Sequence, residues 1–254
     1  FLCVWKDAKD GTPQCDKALE AYRQAVQKIR SSSKLTRLIA RPDIAKIFPP
    51  KEREFGTYLP AMGFGLHHGT SVEGAIGTSL KMDAAYLGAD VDLADVLEMN
   101  TKEYKTPILM TEAFYNQLSE SVQKTCRKVD RVLASASPEP FYLYAANVAA
   151  DDAGSYFNRD IVEDVFVLDD QGLEDGKADA SGADGRWDAL VDPWNDEFEA
   201  AVDAYVAGDW AAASKSLRSC LSTRPWDGPA LKLQAFMQAE GGSAPRGWKG
   251  YQEL

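Results

Sequence analysis

The chain has 254 residues, 45% of them hydrophobic and 26% charged, which is the composition of a folded polypeptide of one or two domains with enough apolar residues to build a core. No run approaches about eighteen apolar residues, so the sequence holds no membrane span, and FLCVWKDAKD lacks the basic start and small-residue cleavage site of a signal peptide. The formal charge of −11 is local: residues 1–150 hold 19 basic and 18 acidic side chains, residues 151–203 hold 3 and 17, and residues 204–254 hold 6 and 4. No Lys/Arg stripe stands out in the neutral parts, so nucleic acid is not an expected partner. The four cysteines, Cys3, Cys15, Cys126 and Cys220, form no CxxC pair, and the expectation is reduced thiols inside a cell. A start at Phe1 rather than Met suggests a segment of a longer polypeptide.

In chain order, FLCVW reads as a short strand. Asp16 to Arg30 places Leu19, Tyr22, Ala25, Val26 and Ile29 at helical spacing and ends at the serines 31–33. LTRLIARPDIAKIF is a second apolar stretch that stops at Pro49-Pro50. MGFGLHHGTSVEGAIGTS reads as two strands joined by a tight turn around His68 to Ser71, with glycines where backbones bend or approach closely. ADVDLADVLEMNTKEY is helical, TPILMT a strand, TEAFYNQLS a helix, and RKVDRVLA and PFYLYAANV two further strands. The alternation predicts an α+β layer architecture over residues 1–148. Residues 149–194 form an Asp-, Gly- and Ala-rich acidic linker. Residues 195–254 form a helical extension, with Phe198, Val202, Tyr205, Ala213, Leu217, Cys220 and Leu221 on its apolar faces. One helical hairpin there is like a tetratricopeptide unit, but a solenoid needs about three such units, so it is expected to pack on the main domain.

Gly63 to Ser119 closely resembles the second half of class III nucleotidyl cyclase domains, whose G-x-G-L-H-x-G strand, x-G-x-I-G-S strand and V-N-x-A-x-R-L-E helix follow in the same order. The resemblance extends through RKVDRV and LYAANV and back to FLCVWKD. It also reaches GDWAAASKSL, PWDGPA and APRGWKGYQEL, which are similar to a helical extension behind microbial cyclases. It implies a ferredoxin-like sheet with packed helices, lacking here the N-terminal strand and the hairpin that bears two metal-binding Asp residues. It further implies a reaction shared between two cyclase domains, adenylate or guanylate cyclase activity that makes cAMP or cGMP from ATP or GTP with Mg²⁺ or Mn²⁺. The partner would be a second cyclase-type domain, as homodimer or heterodimer.

Gly65, Leu66, His67, Gly69, Glu73, Gly74, Ile76, Gly77, Asp83 and Tyr86 match the family pattern. The functional positions do not. The ribose-fixing Asn position is Asp92, the transition-state Arg position is Val96, the phosphate-binding Lys position is Ser135, and the purine-reading position is Ala85. Loss of one such donor typically costs on the order of 3–4 kcal/mol of transition-state stabilisation. The expectation is a pseudo-cyclase used for dimerisation, regulation or scaffolding. The alternative is one half of an active heterodimer, and a degenerate pocket that still binds nucleotide is a third reading.

Other features have plainer readings. His67 and His68, as neighbours on a strand, would point to opposite faces and so make a poor metal pair. Gly63, Gly65, Gly74 and Gly77 are read as sheet glycines rather than a phosphate loop. Asp90, Asp92 and Asp95 suit a helix start rather than a calcium loop. Cys126, beside Arg127 and Lys128, is either a lowered-pKa thiol or, by preference, a structural one. The acidic linker is read as solvated, with Trp187 and Trp194 as candidate anchors for another protein subunit, and the helical tail as a second such surface. The expected place is cytoplasmic: a cytoskeletal or ciliary assembly, or the inner side of a larger membrane protein.

Overall fold

A computed structural model describes residues 1–6, 14–30, 32–39, 41–45, 62–148, 187 and 190–254. The expected Pro49-Pro50 stop and the linker from 149 to 186 lie outside the described residues. Helix α1 (Gln14–Arg30) buries Leu19 and Val26 of the expected stripe together with Ala18 and Arg23, while Tyr22, Ala25 and Ile29 are only half-buried, so the buried face is turned from the one the spacing predicts. The second apolar stretch forms α2 (Ser33–Ile39) and α3 (Pro42–Ala45). Next come β1 (Phe64–Leu66), β2 (Val72–Thr78), β3 (Lys81–Leu87), α4 (Ala89–Tyr104), β4 (Ile108–Thr111), α5 (Glu112–Tyr115), α6 (Glu120–Gln123), β5 (Cys126–Leu133) and β6 (Phe141–Ala146). The tail contributes α7 (Trp194–Val206), α8 (Trp210–Thr223), α9 (Gly228–Ala239) and β7 (Gln252–Glu253).

The main sheet is mixed, in the order β1-β4-β6-β5-β7. Its inner pairings β4·β6 and β6·β5 are antiparallel, and β1·β4 and β5·β7 at the two sides are parallel. Strand β4 is buried along its whole length and alternates between two cores. Ile108 and Met110 face α1, packing with Leu19, Val26, Leu66 and Phe114. Leu109 faces the other way, with Leu97 of α4, Val129, Val132 and Leu143 of the sheet, and Phe198, Val202, Tyr205, Trp210, Leu217, Leu233 and Met237 of the tail. The tail therefore packs on the sheet, as expected, and shares a continuous core with it.

Three expectations are corrected. Residues 1–6 form no strand: Trp5 packs edge-on against Tyr22 with ring centroids 5.5 Å apart, and Lys6 reaches Glu73, so this exposed segment leans on α1 and β2 instead of joining a ladder. β1 and β2 are not paired with each other. β1 joins β4, while β2 pairs with β3 in a separate two-stranded sheet, from Val72↔Leu87 to Thr78↔Lys81. The helix expected over TEAFYNQLS closes after four residues, its start capped by Thr111 Oγ1, which accepts from the Phe114 N–H at 3.3 Å.

Two glycines mark where elements meet at backbone distance. A Cβ on Gly65 would lie 2.1 Å from the Ala94 carbonyl oxygen, so α4 rests directly on β1. A Cβ on Gly228 would lie 2.2 Å from the Tyr104 carbonyl oxygen, so the start of α9 rests on the end of α4. Asp227, the residue before, has two roles. Its Oδ1 caps α9 by accepting from the Ala230 N–H at 2.9 Å, and its Oδ2 accepts from Arg127 Nη2 of β5 at 2.6 Å, with both side chains buried. The Arg127 guanidinium also lies 5.1 Å from the Trp194 ring and 4.9 Å from the Phe198 ring.

Among the described residues no helix is long and apolar enough to cross a membrane.

Removing one partner of a buried ion pair leaves an uncompensated charge. Asp227→Ala is expected to lower unfolding stability by about 3–5 kcal/mol, measured by chemical denaturation. Combining it with Arg127→Met should recover part of the loss, because no lone charge then remains buried.

Candidate functional site

The connection from 67 to 71 ties β1, the β2–β3 hairpin and the start of α4 together. His67, half-buried just past β1, has Nδ1 2.8 Å from Thr111 Oγ1 and Nε2 3.3 Å from Asp90 Oδ1. With Asp90 as acceptor, Nε2 carries the hydrogen, and Nδ1 of a neutral ring accepts from the Thr111 hydroxyl. Burial lowers the His67 pKa, opposed by the Asp90 carboxylate. Asp90 lies in the first turn of α4, where its Oδ2 accepts from the Thr70 N–H at 2.6 Å. That hydrogen bond holds its carboxyl below the usual range. His67 and Asp90 thus act as a brace, and the two histidines sit on a connection rather than on a strand. Among the described residues no group of three or more His, Cys, Asp and Glu is placed to hold a metal ion, so they supply no donor set for a divalent pair.

The residues at the four family positions lie as follows. Ala85 is on β3, opposite Gly74 of β2. Asp92 is exposed in the first turn of α4, and Val96 follows one turn later on the same face, half-buried, its carbonyl accepting from Asn100 Nδ2 at 2.9 Å. Ser135 is exposed just past β5, which lies three strands from β1, or about 14 Å across the sheet. The structure groups Ala85, Asp92 and Val96 around the hairpin and the helix that follows it, and places Ser135 at the far side of the sheet. Asp92, Val96 and Ser135 lack the amide, guanidinium and ammonium that the resemblance expects at their positions, and Ala85 lacks any polar group to read a purine.

The hairpin has two unlike faces, because residues opposite each other in an antiparallel pair share a side. Glu73 and Tyr86 share one, where Tyr86 Oη donates to Glu73 Oε1 at 3.0 Å and Lys6 approaches. Val72, Ile76 and Leu87, which are 70%, 50% and 54% exposed, share the other with Ala85 and with Lys81 and Asp83, an ion pair at 3.0 Å; Leu80 at the turn is 95% exposed.

Trp187 and Trp194 turn inward. Trp187 is buried with its ring 4.9 Å from the Arg23 guanidinium, and Trp194 stacks on Phe198 at 5.5 Å and donates from Nε1 to Thr223 Oγ1. Both are anchors for the chain itself. Burial pushes the Cys126 thiol up, and Arg127 points to Asp227 instead, so Cys126 is a structural thiol. Within RKVDRVLA, Arg127 and Asp130 are both buried, so the charged residues of this apolar strand are the sequence signal of its polar contacts.

No family model matches the chain. Over 77 residues it is 35% identical to an adenylate cyclase of Anabaena cylindrica, a stretch covering 30% of this chain and 15% of that protein. Two solved structures of a bacterial light-regulated adenylyl cyclase are 22% identical over 53% of this chain and 34% and 33% of theirs, with TM-scores of 0.38 and 0.35. At those scores the overlay carries no weight, and the chain spans about a third of either structure. What stands is a sequence similarity to an adenylate cyclase over less than a third of this chain.

Proposed function

We propose that this chain is a cyclase-homology module without turnover of its own, which pairs with a second cyclase-type domain inside a larger assembly. The observation that carries this reading is Val96. At the position where the resemblance expects a guanidinium, an isopropyl group stands half-buried on α4 and donates no hydrogen bond. Asp92 one turn earlier adds negative charge where a triphosphate would lie, and Ser135 and Ala85 remove two further contacts. The brace of His67, Thr111 and Asp90 meanwhile keeps the hairpin rooted to the sheet.

The hairpin supports the pairing role. A two-stranded sheet is marginal in water by itself, and this one presents Val72, Ile76, Leu80 and Leu87 to solvent on an isolated ribbon. A second domain laid over that face would remove the apolar surface from water. The alternative reading, one half of an active adenylate or guanylate cyclase pair, draws support from the 35% identity to an adenylate cyclase and from the retained scaffold residues Gly65, His67, Gly69 and Asp83.

Purified chain given ATP or GTP with Mg²⁺ or Mn²⁺ is expected to form no cAMP or cGMP above the protein-free background. Turnover by the chain alone overturns the proposal, and turnover only after mixing with a second cyclase domain establishes the alternative. In analytical ultracentrifugation the chain should associate with itself or with such a domain, and Ile76→Asp with Leu80→Asp should abolish that association without shifting the thermal midpoint. A chain that stays monomeric in both settings contradicts the pairing role.

A further inference from the structure

Among the described residues, a single side-chain contact ties the strands of the hairpin to the rest of the chain. β2 is exposed along its whole length and β3 along most of its own, and together they form a sheet of two strands. Their side-chain bonds stay inside the ribbon, Lys81 with Asp83, Tyr86 with Glu73 and the Leu80 N–H with Thr78, except for the one to Lys6. The Lys6 ammonium meets Glu73 Oε2 at 2.5 Å and lies 5.9 Å from the centre of the Tyr86 ring.

Lys6 is carried by a segment that is itself anchored. Trp5 packs edge-on against Tyr22 of α1 at 5.5 Å, and Tyr22 packs on Phe64 of β1 with ring centroids 4.6 Å apart. The path from sheet to ribbon therefore runs through Phe64, Tyr22, Trp5, Lys6 and Glu73. At its base the ribbon is rooted by His67 and Asp90, and Gly88, at φ 145°, joins β3 to α4. A ribbon attached only at its base tilts there as a unit, and a glycine at the joint offers little resistance. Lys6 holds the face of Glu73 and Tyr86, whereas Val72, Ile76 and Leu87 lie on the opposite one.

We propose that residues 1–6 are a strap that fixes the pose of the hairpin: with Trp5 and Lys6 seated, the ribbon is tied to α1 from behind, and with Lys6 released it tilts about its base. An ion pair whose side chains are 64% and 49% exposed is weak and screened by salt, so the strap is a light catch that ionic strength releases. Its consequence for a partner rests on the pairing role proposed above. A ribbon already held in one pose loses less freedom when a second domain covers its apolar face, so the seated strap favours association.

Residual dipolar couplings of the Gly74, Ala75 and Ala84 amides, measured on the full chain, read the tilt whether or not the chain associates. In the unaltered chain they should share one alignment with the β4 and β6 amides. In Lys6→Glu, where two carboxylates face each other, they should shrink severalfold while the β4 and β6 values stay put. Lys6→Glu with Glu73→Lys exchanges the signs of the pair and should restore them. Salt at about 0.5 M should shrink the couplings of the unaltered chain and leave those of Lys6→Glu as they are. Couplings already small in the unaltered chain, full-sized in Lys6→Glu, not restored by the exchange, or indifferent to salt each overturn the strap. Sedimentation of the same variants reads the consequence: Lys6→Glu should associate severalfold more weakly, and the exchanged pair like the unaltered chain. Absence of association in every form removes the pairing role while the couplings still decide the strap, and equal association of held and loosened ribbons overturns the strap's part in pairing.

Discussion

Arg127 carries a full positive charge into the space between β5 and the tail, where Asp227 meets it at 2.6 Å and both groups are out of water. A buried guanidinium is tolerable only while such a carboxylate stands beside it, so the position of α9 is set from the sheet. Asp227 cannot serve Arg127 without also fixing the first turn of α9, because its other oxygen is the cap. Gly228 then allows α9 to touch the backbone of α4 at Tyr104. From that one contact the packing of Trp194 and Phe198 over the guanidinium follows, as does the continuity of the core from Leu97 and Leu109 to Trp210 and Leu217.

The two ends of the sheet consequently differ in character. On the β5 side the tail supplies helices, a strand and the Glu199 carboxylate, and the edge is closed. On the side of β1, the hairpin of β2 and β3 projects with Val72, Ile76 and Leu87 exposed to water beside the Lys81–Asp83 pair, rooted by His67 and Asp90. A closed side and an open one describe a module that is finished against its own tail and unfinished toward something else. The proposed pairing role rests on that asymmetry together with Asp92, Val96, Ser135 and Ala85, none of which carries an amide, a guanidinium or an ammonium.

Much of the fold was legible because the signals were local. Asp209 and Asp227 are N-cap residue types placed just before WAAAS and GPALK, and each caps its helix. ILMT read as a continuous apolar strand and is buried throughout. KMDAAYL mixes alanines with single charged and aromatic residues and lacks a clean alternation, so neither β3 nor its pairing with β2 is readable from local pattern. The contacts that fix the tail were not legible at all. Arg127 and Asp227 are 100 residues apart, Asp130 and Gln252 are 122 apart, and single-chain periodicity carries no information on such pairs. Of the candidate site, the four altered positions were readable through a family resemblance alone. The brace of His67 with Thr111 and Asp90 needed the fold, since Thr111 lies 44 residues away.

Sheet and helical tail share one core held by a buried charge pair and should therefore unfold together. Residue-resolved hydrogen exchange in increasing denaturant tests it most directly, by comparing amides around Leu143 in β6 with those around Leu217 in α8. Both sets are expected to converge on one unfolding transition with the same midpoint and the same denaturant dependence. A tail that melts at clearly lower denaturant while the β6 amides keep their native protection would contradict it.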